Sequence, residues 1–166
     1  VAEADFEKDV RKSMLGVLYA FSGDIVNDNV HASGWDGHSP ANETMTDQFI
    51  LPEKLPGWLS EDDLDFYVRE HSASGFTGGF NWYRNIKRLP RHLAPFVGKA
   101  IEQPALYLYG EHDMVAGNTP EAIAGMQAAL PDLRKCVMYE GAGHWLQQER
   151  ADSVNSELLE FFGSVS

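Results

Sequence analysis

The chain has 166 residues, of which 43% are hydrophobic and 23% charged, so its composition is that of a globular protein about one domain in size. Its 25 acidic residues outnumber its 13 basic ones, and the net charge of -12 disfavours nucleic acid and anionic membranes, both of which attract positive surfaces. No apolar run approaches the roughly 20 residues that span a bilayer, and the single cysteine, Cys136, excludes an intrachain disulfide and fits a reducing, cytoplasmic compartment.

The first part of the chain, residues 1–95, is predicted to contain only helices and loops. Apolar residues recur at helical spacing over residues 4–21, which predicts a first helix. Residues 22–57 lose this periodicity and are rich in Gly, Asn, Asp, Ser and Pro. They are predicted to form one long loop, of the kind that often covers a functional site. Its histidines, His31 and His38, lack metal-ligand spacing, so we expect solvated side chains there rather than a metal site.

Two more helices are predicted before residue 95. Ser60 begins a capping-box pattern that is completed by Asp63, and the helix that follows is expected to end near Gly75. Another helix is predicted from Phe80 to about Arg88 and is expected to end before Pro90, because proline lacks the N–H that a helix interior needs.

The second part, residues 96–166, has the pattern of a parallel strand–helix–strand unit. Two β-prone runs, Leu106–Gly110 and the run around Cys136, flank a helix predicted over Pro120–Leu130. A last helix is predicted from about Arg150 to Phe162. Two parallel strands cannot cover both faces and both edges of a sheet. We therefore expect further strands upstream of these residues.

An ionisable residue follows each predicted strand. Asp113 comes after Gly110, and His144 comes after Gly141-Ala-Gly. The carboxyl ends of neighbouring parallel strands meet at one edge of a sheet, where catalytic groups collect, so we expect these two side chains to be adjacent. A carboxylate that orients a histidine, in the order acid then histidine, is typical of α/β-hydrolases. Glu111 lies in the same loop and is the alternative acid, with Asp113 favoured.

Three segments resemble the soluble epoxide hydrolases of the α/β-hydrolase superfamily. The resemblance extends over the whole chain and implies an incomplete α/β-hydrolase fold. Residues 1–95 would form most of a helical cap, with the long loop 22–57, and residues 96–166 the last two parallel strands and helices of the core sheet. The segments are Asn81-Trp-Tyr83-Arg-Asn85, similar to the family's cap; Pro104 to Asp113, similar to its acid strand; and Gly143-His144-Trp-Leu-Gln-Gln-Glu149, similar to its histidine loop.

The resemblance also implies a reaction, the opening of an epoxide by water to a vicinal diol without a cofactor. A carboxylate would attack the epoxide carbon and form an alkyl-enzyme ester. Tyr83 would donate a hydrogen bond to the departing oxygen, since a phenol is protonated at neutral pH and can stabilise a developing oxyanion. His144 would activate the water that hydrolyses the ester, and Asp113 would orient the histidine. The implied substrate is a small apolar epoxide, and assembly as a homodimer stays open.

The nucleophilic aspartate of that family has no counterpart in these residues. Neither a Gly-x-Asp-x-Gly nor a Gly-x-Ser-x-Gly segment occurs, so we expect the nucleophile upstream, in the missing N-terminal half of the core. Two alternatives stay open. One is a haloalkane or haloacid dehalogenase of the same fold, although such enzymes hold halide with tryptophan or other N–H donors, and Tyr83 counts against them. The other is a catalytically inactive fragment or a binding module with an apolar cleft.

Overall fold

A computed structural model describes residues 2–28 and 42–165, which form two compact units. Residues 2–20 and 42–97 make up the first unit, and residues 21–28 and 98–165 the second. His31 and His38 lie outside the described residues. Nowhere in the described ranges does a helix combine the length and apolar character needed to cross a membrane.

The first unit contains helices, 3₁₀ turns and loops but no strand in its described residues. The prediction of one helix over residues 4–21 is wrong, because two helices, α1 (Ala2–Phe6) and α2 (Val10–Ala20), are separate and the side chain of Asp9 accepts the Lys12 N–H at 2.9 Å. Such a bond caps a new helix start instead of continuing the previous helix. The helices are α1 (Ala2–Phe6), α2 (Val10–Ala20), α4 (Glu61–Ser74), α5 (Thr77–Asn85) and α6 (Leu89–Leu93), with 3₁₀ turns at Met45–Gln48, Ile86–Arg88 and Ala94–Phe96.

The predicted loop 22–57 contains regular structure where it is described. A four-residue helix, α3 (Asp24–Asn27), lies in the second unit. The 3₁₀ turn Met45–Gln48 lies in the first unit, where the buried carboxylate of Asp5 accepts hydrogen bonds from the Thr46 hydroxyl at 2.8 Å and from the Thr46 N–H at 3.3 Å. Burial raises the pKa of Asp5, but the hydrogen bonds from Thr46 and Thr44 and the charge of Lys8 together outweigh burial, so the pKa of this carboxyl is lowered.

The expected stop at Pro90 is also wrong. The helix predicted over residues 80–88 begins at Thr77 and ends at Asn85, and Pro90 lies in the first turn of α6. The first N–H groups of a helix have no acceptor within the helix, so proline costs nothing at that position.

The capping box at the start of α4 is confirmed. The Asp63 N–H donates to the Ser60 hydroxyl at 3.1 Å, and the Ser60 N–H donates to the Asp63 carboxylate at 3.1 Å. At the other end Gly75 has a φ of 67°, a left-handed conformation that glycine adopts without strain. Sequence and structure therefore agree on both ends of this helix.

Removal of this cap gives a stability prediction. We expect Ser60→Ala to lower the free energy of unfolding by about 1 kcal/mol, since it leaves helix N–H groups without their acceptor. Denaturant unfolding followed by circular dichroism measures the change. Ser74→Ala at the last turn of the same helix is the control, because the Ser74 hydroxyl donates to backbone carbonyls, those of Glu70 at 2.8 Å and Gly75 at 3.3 Å, and caps no helix N–H; we expect a change within about 0.5 kcal/mol. Equal losses in the two variants would contradict the capping role.

The second unit contains the predicted parallel strand–helix–strand arrangement. Strand β1 (Ala105–Gly110) pairs in parallel with β2 (Leu133–Tyr139), so that Gly110 lies opposite Tyr139, and α7 (Pro120–Ala129) connects them. Helices α8 (Leu146–Glu149) and α9 (Ala151–Ser164) follow. A small apolar core includes one residue of the loop after β2; its members are Ala142, Leu146 and Val154, with Leu108, Tyr139 and Leu158 packed against them.

Candidate active site

Asp113 and His144 form a hydrogen-bonded pair at the carboxyl ends of the two strands. The distance from the His144 Nδ1 atom to an Asp113 carboxylate oxygen is 3.1 Å. The side chain of Asp113 is 11% exposed and that of His144 is 35% exposed, so the acid is covered while the ring reaches solvent. This is the geometry of an acid that holds one ring nitrogen and leaves the other for chemistry.

The carboxylate of Asp113 is fixed by its own loop. The oxygen that faces His144 also accepts the N–H groups of Val115 at 2.9 Å and of Ala116 at 3.1 Å. Backbone donors of this kind fix the orientation of the acid before any substrate is bound. The His144 ring therefore meets an acceptor whose position does not depend on the ring itself.

Glu111, the alternative acid, has a different contact. Its carboxylate accepts the Gly141 N–H at 2.9 Å, in the loop that carries the histidine. The structure thus pairs the imidazole of His144 with Asp113 and assigns Glu111 to the backbone of the neighbouring turn.

Tyr107 supports the acid loop from β1. Its hydroxyl donates to the side-chain oxygen of Asn118 at 2.6 Å. Burial raises the pKa of Tyr107, and the nearby Asp113 carboxylate raises it further, because both disfavour a phenolate. Tyr107 therefore stays protonated around neutral pH and remains a donor to this loop.

The loop around His144 requires glycine because backbones approach it closely. A Cβ atom at Gly143 would lie 2.4 Å from the backbone nitrogen of Gly23, and one at Gly110 would lie 2.4 Å from the carbonyl oxygen of Ala142. The His144 N–H donates to the Phe21 carbonyl at 2.8 Å, which joins this loop to residues 21–23. The glycines therefore make room for a second stretch of chain, a role that their sequence context alone does not reveal.

Tyr83 lies in the first unit, on α5. Its side chain is 68% exposed. Phe80 anchors the helix by packing on Phe6, with ring centroids 5.1 Å apart. The polar residues of the motif bind one another, since the Asn85 side chain donates to the Asn81 carbonyl at 2.7 Å and Arg84 donates to the Asn81 side chain at 3.0 Å. The motif thus folds as an internally braced helix that presents its tyrosine to solvent.

Sequence reasoning missed the role of two parts of the second unit, residues 21–28 and the carboxylate of Glu149. Residues 21–28 contact the histidine loop from a distant position in the sequence, and the Gly23 N–H donates to Glu149 across 126 residues. Glu149 was part of the segment resembling the histidine loop, but its spacing from His144 carried no indication of what it would bind. Within the described ranges no three His, Cys, Asp or Glu side chains are grouped as a metal site would require.

Comparison with known proteins places these features in a family. No family model matches the chain. Among curated proteins it is 41% identical to epoxide hydrolase A of Mycobacterium tuberculosis over 123 residues, which cover 74% of this chain and 38% of that protein. It is 32% identical to epoxide hydrolase B of the same organism, over 97% of this chain and 50% of that protein.

Solved structures agree with the sequence comparison. An epoxide hydrolase from an endophytic Streptomyces superposes with a TM-score of 0.87 at 37% identity, over 98% of this chain and 48% of that one. Epoxide hydrolase A from Mycobacterium thermoresistibile superposes with a TM-score of 0.79 at 36% identity, over 100% of this chain and 50% of that one. The chain thus spans half or less of the length of these relatives and has an incomplete α/β-hydrolase fold. By sequence and by structure, it belongs to the epoxide hydrolase family.

Proposed function

We propose that the protein containing this chain hydrolyses epoxides to vicinal diols. The observation that carries the proposal is the Asp113–His144 pair, with its 3.1 Å hydrogen bond at the carboxyl ends of two parallel strands, in a member of the epoxide hydrolase family. A small apolar epoxide is the proposed substrate, since the net charge of -12 offers no attraction to anionic compounds.

The proposed reaction has two steps. In the first, a carboxylate oxygen attacks one epoxide carbon, the ring C–O bond breaks, and Tyr83 donates its proton to the departing oxygen. In the second, His144 takes a proton from water and the resulting hydroxide attacks the ester carbonyl. The ester C–O bond then breaks, the imidazolium returns its proton to the departing diol oxygen, and the carboxyl group formed gives its proton back to Tyr83, which restores the carboxylate and the phenol. Asp113 stabilises the imidazolium that forms in this second step.

The nucleophilic carboxylate is proposed to lie on a segment outside these 166 residues. Support comes from the second unit, where the two strands are mostly half-buried although parallel strands are ordinarily covered on both faces. Leu159 and Phe162 on α9 are also largely exposed, and large apolar side chains in that condition favour contact with further chain. These features support a piece of a larger hydrolase core over an independent binding module.

Tyr83→Phe tests this function against the dehalogenase alternative. We expect kcat/KM for epoxide opening in the full-length protein to fall about 100-fold to 1000-fold, the usual effect of losing one oxyanion donor. Initial rates of diol formation at several styrene oxide concentrations measure the change in kcat/KM. Tyr67→Phe, which removes a phenol from α4, is the control and should retain wild-type turnover.

The outcomes separate the two chemistries. Unchanged diol formation by Tyr83→Phe would remove Tyr83 from the reaction. The dehalogenase would be favoured by two results together. The wild-type protein would form no diol from epoxides, and it would release halide from a haloalkane at a rate that Tyr83→Phe does not reduce.

A further inference from the structure

Glu149 is a buried carboxylate that the proposed reaction does not use. It is the last residue of α8, and only 9% of it is exposed. One of its carboxylate oxygens accepts the Gly143 N–H at 2.8 Å and the Gly23 N–H at 3.0 Å. The other oxygen accepts the Trp145 N–H at 3.1 Å. A single side chain thus binds the backbone on both sides of His144.

The chemistry of this contact is suited to a carboxylate. An ionised carboxylate only accepts hydrogen bonds, and burial of its charge is costly unless donors surround it. Here the donors are three backbone N–H groups, and charge-assisted bonds of this kind are about twice as strong as neutral ones. The adjacent Arg150 binds backbone carbonyls, those of Glu140 at 3.0 Å and Glu149 at 2.9 Å. The guanidinium therefore supports the same turn through different groups.

These bonds hold the backbone on both sides of His144. The residues before and after His144 are bound to one carboxylate, and the His144 N–H is bound to Phe21, whose segment the same carboxylate holds through Gly23. The backbone of His144 is thereby fixed from three sides. Its ring then meets Asp113 at hydrogen-bond distance without a contact of its own to Glu149.

We propose that Glu149 is a positioning residue for His144. It holds the histidine loop in the conformation that directs the ring Nδ1–H to Asp113 and leaves the other ring nitrogen available as a base. The effect of Glu149 on kcat rests on the proposed function, whereas its effect on the orientation and tautomer of the His144 ring does not.

Glu149→Gln is the informative substitution because it preserves shape and changes only hydrogen bonding. A glutamine has one acceptor oxygen, and its NH₂ group must face either the Trp145 N–H or the two glycine N–H groups. In either orientation the NH₂ group faces a backbone N–H, so two donors meet and at least one buried N–H is left without an acceptor. We expect the loop to loosen and the His144 ring to lose its fixed partner.

The primary readout is the tautomer of His144, measured by long-range ¹H–¹⁵N spectra of the full-length, ¹⁵N-histidine-labelled protein at about pH 8.5, where an ordinary histidine is neutral. In the wild-type protein we expect two well-separated ring ¹⁵N shifts, typical of one Nδ1–H tautomer. In Glu149→Gln the two shifts should move toward each other as both tautomers become populated. Glu140→Gln is the matched control, since it makes the same charge change on an exposed side chain nearby and should keep the wild-type shifts.

Kinetics supply a second readout. For Glu149→Gln we expect kcat to fall at least 10-fold with KM within about twofold, because a displaced base slows ester hydrolysis more than substrate binding. If the wild-type protein forms no diol, the proposed function fails, and the imidazole spectra still decide the role of Glu149. Wild-type ring shifts in Glu149→Gln would overturn the positioning role.

The wild-type protein provides a test that does not depend on the variant folding. A hydrogen bond transmits a small scalar coupling, so we expect a cross-peak between the Gly143 amide nitrogen and the Glu149 carboxylate carbon. The same spectrum should show the Trp145 amide coupled to that carbon. Absence of both cross-peaks in a spectrum that resolves backbone hydrogen bonds would contradict the proposal.

Discussion

Replacement of His144 by glutamine is expected to slow turnover of the full-length protein strongly and to make the proposed alkyl-enzyme ester accumulate. In the proposed reaction, epoxide opening uses the nucleophilic carboxylate and Tyr83, so we expect the first step to proceed without the histidine. Ester hydrolysis needs a base for water, and an amide cannot accept that proton. General-base contributions are typically about 100-fold to 10,000-fold, and we expect kcat to fall within that range.

Intact-protein mass spectrometry detects the trapped ester. Addition of a carboxylate to an epoxide loses no atoms, so after incubation with styrene oxide the mass of His144→Gln should rise by the mass of one epoxide. His92→Gln, which alters an exposed histidine on α6, is the control and should turn over normally without a mass increase. Near-wild-type turnover in His144→Gln would exclude the proposed role of the histidine. Lost turnover with no mass increase would place His144 in the first step instead.

Gly143→Ala is expected to destabilise the second unit strongly. The new Cβ atom would lie 2.4 Å from the Gly23 nitrogen and 2.5 Å from the Ser22 carbonyl carbon, both backbone atoms that cannot rotate away. The chain segment at residues 21–23 must move, which breaks the Gly23 and His144 hydrogen bonds described above. We expect a loss of about 2–3 kcal/mol in the free energy of unfolding, together with a large loss of activity.

Substitution of a second glycine provides a control that should raise, not lower, the free energy of unfolding. Gly125 lies within α7, and a Cβ atom there would meet nothing within 4 Å. Gly125→Ala should therefore raise the free energy of unfolding by about 0.5–1 kcal/mol, because alanine favours helix. Denaturant unfolding of both variants makes the comparison. A Gly143→Ala protein as stable and active as the wild type would show that the close backbone approach is not required.

Local patterns in the sequence predicted the parts of the fold that local chemistry determines. The capping box at Ser60 gave the start of α4, and the two glycine-terminated strands predicted that Asp113 and His144 would be adjacent. Sequence reasoning failed where two local signals compete. Asp9 interrupts an otherwise continuous apolar stripe by capping α2, and Pro90 begins a helix where it was expected to end one.

Long-range contacts lay beyond the reach of sequence patterns. Glu149 binds Gly23 across 126 residues, and nothing in the composition of residues 22–57 indicates that the start of this stretch joins the second unit. The hydrogen bonds that hold the histidine loop are made by backbone N–H groups, which every residue except proline possesses. Their pairing follows only from the folded arrangement of the chain.

Isotope tracing in a single turnover tests the two-step reaction most directly. Full-length protein in excess over styrene oxide is mixed in ¹⁸O-labelled water, and the first diol formed is analysed by mass spectrometry. If a carboxylate attacks and His144 directs water to the ester carbonyl, the first diol carries no ¹⁸O, since its new oxygen comes from the protein, and label appears only in later turnovers. One ¹⁸O atom in the first diol would mean that water attacks the epoxide itself, and would contradict the ester on which the roles of Asp113 and His144 rest.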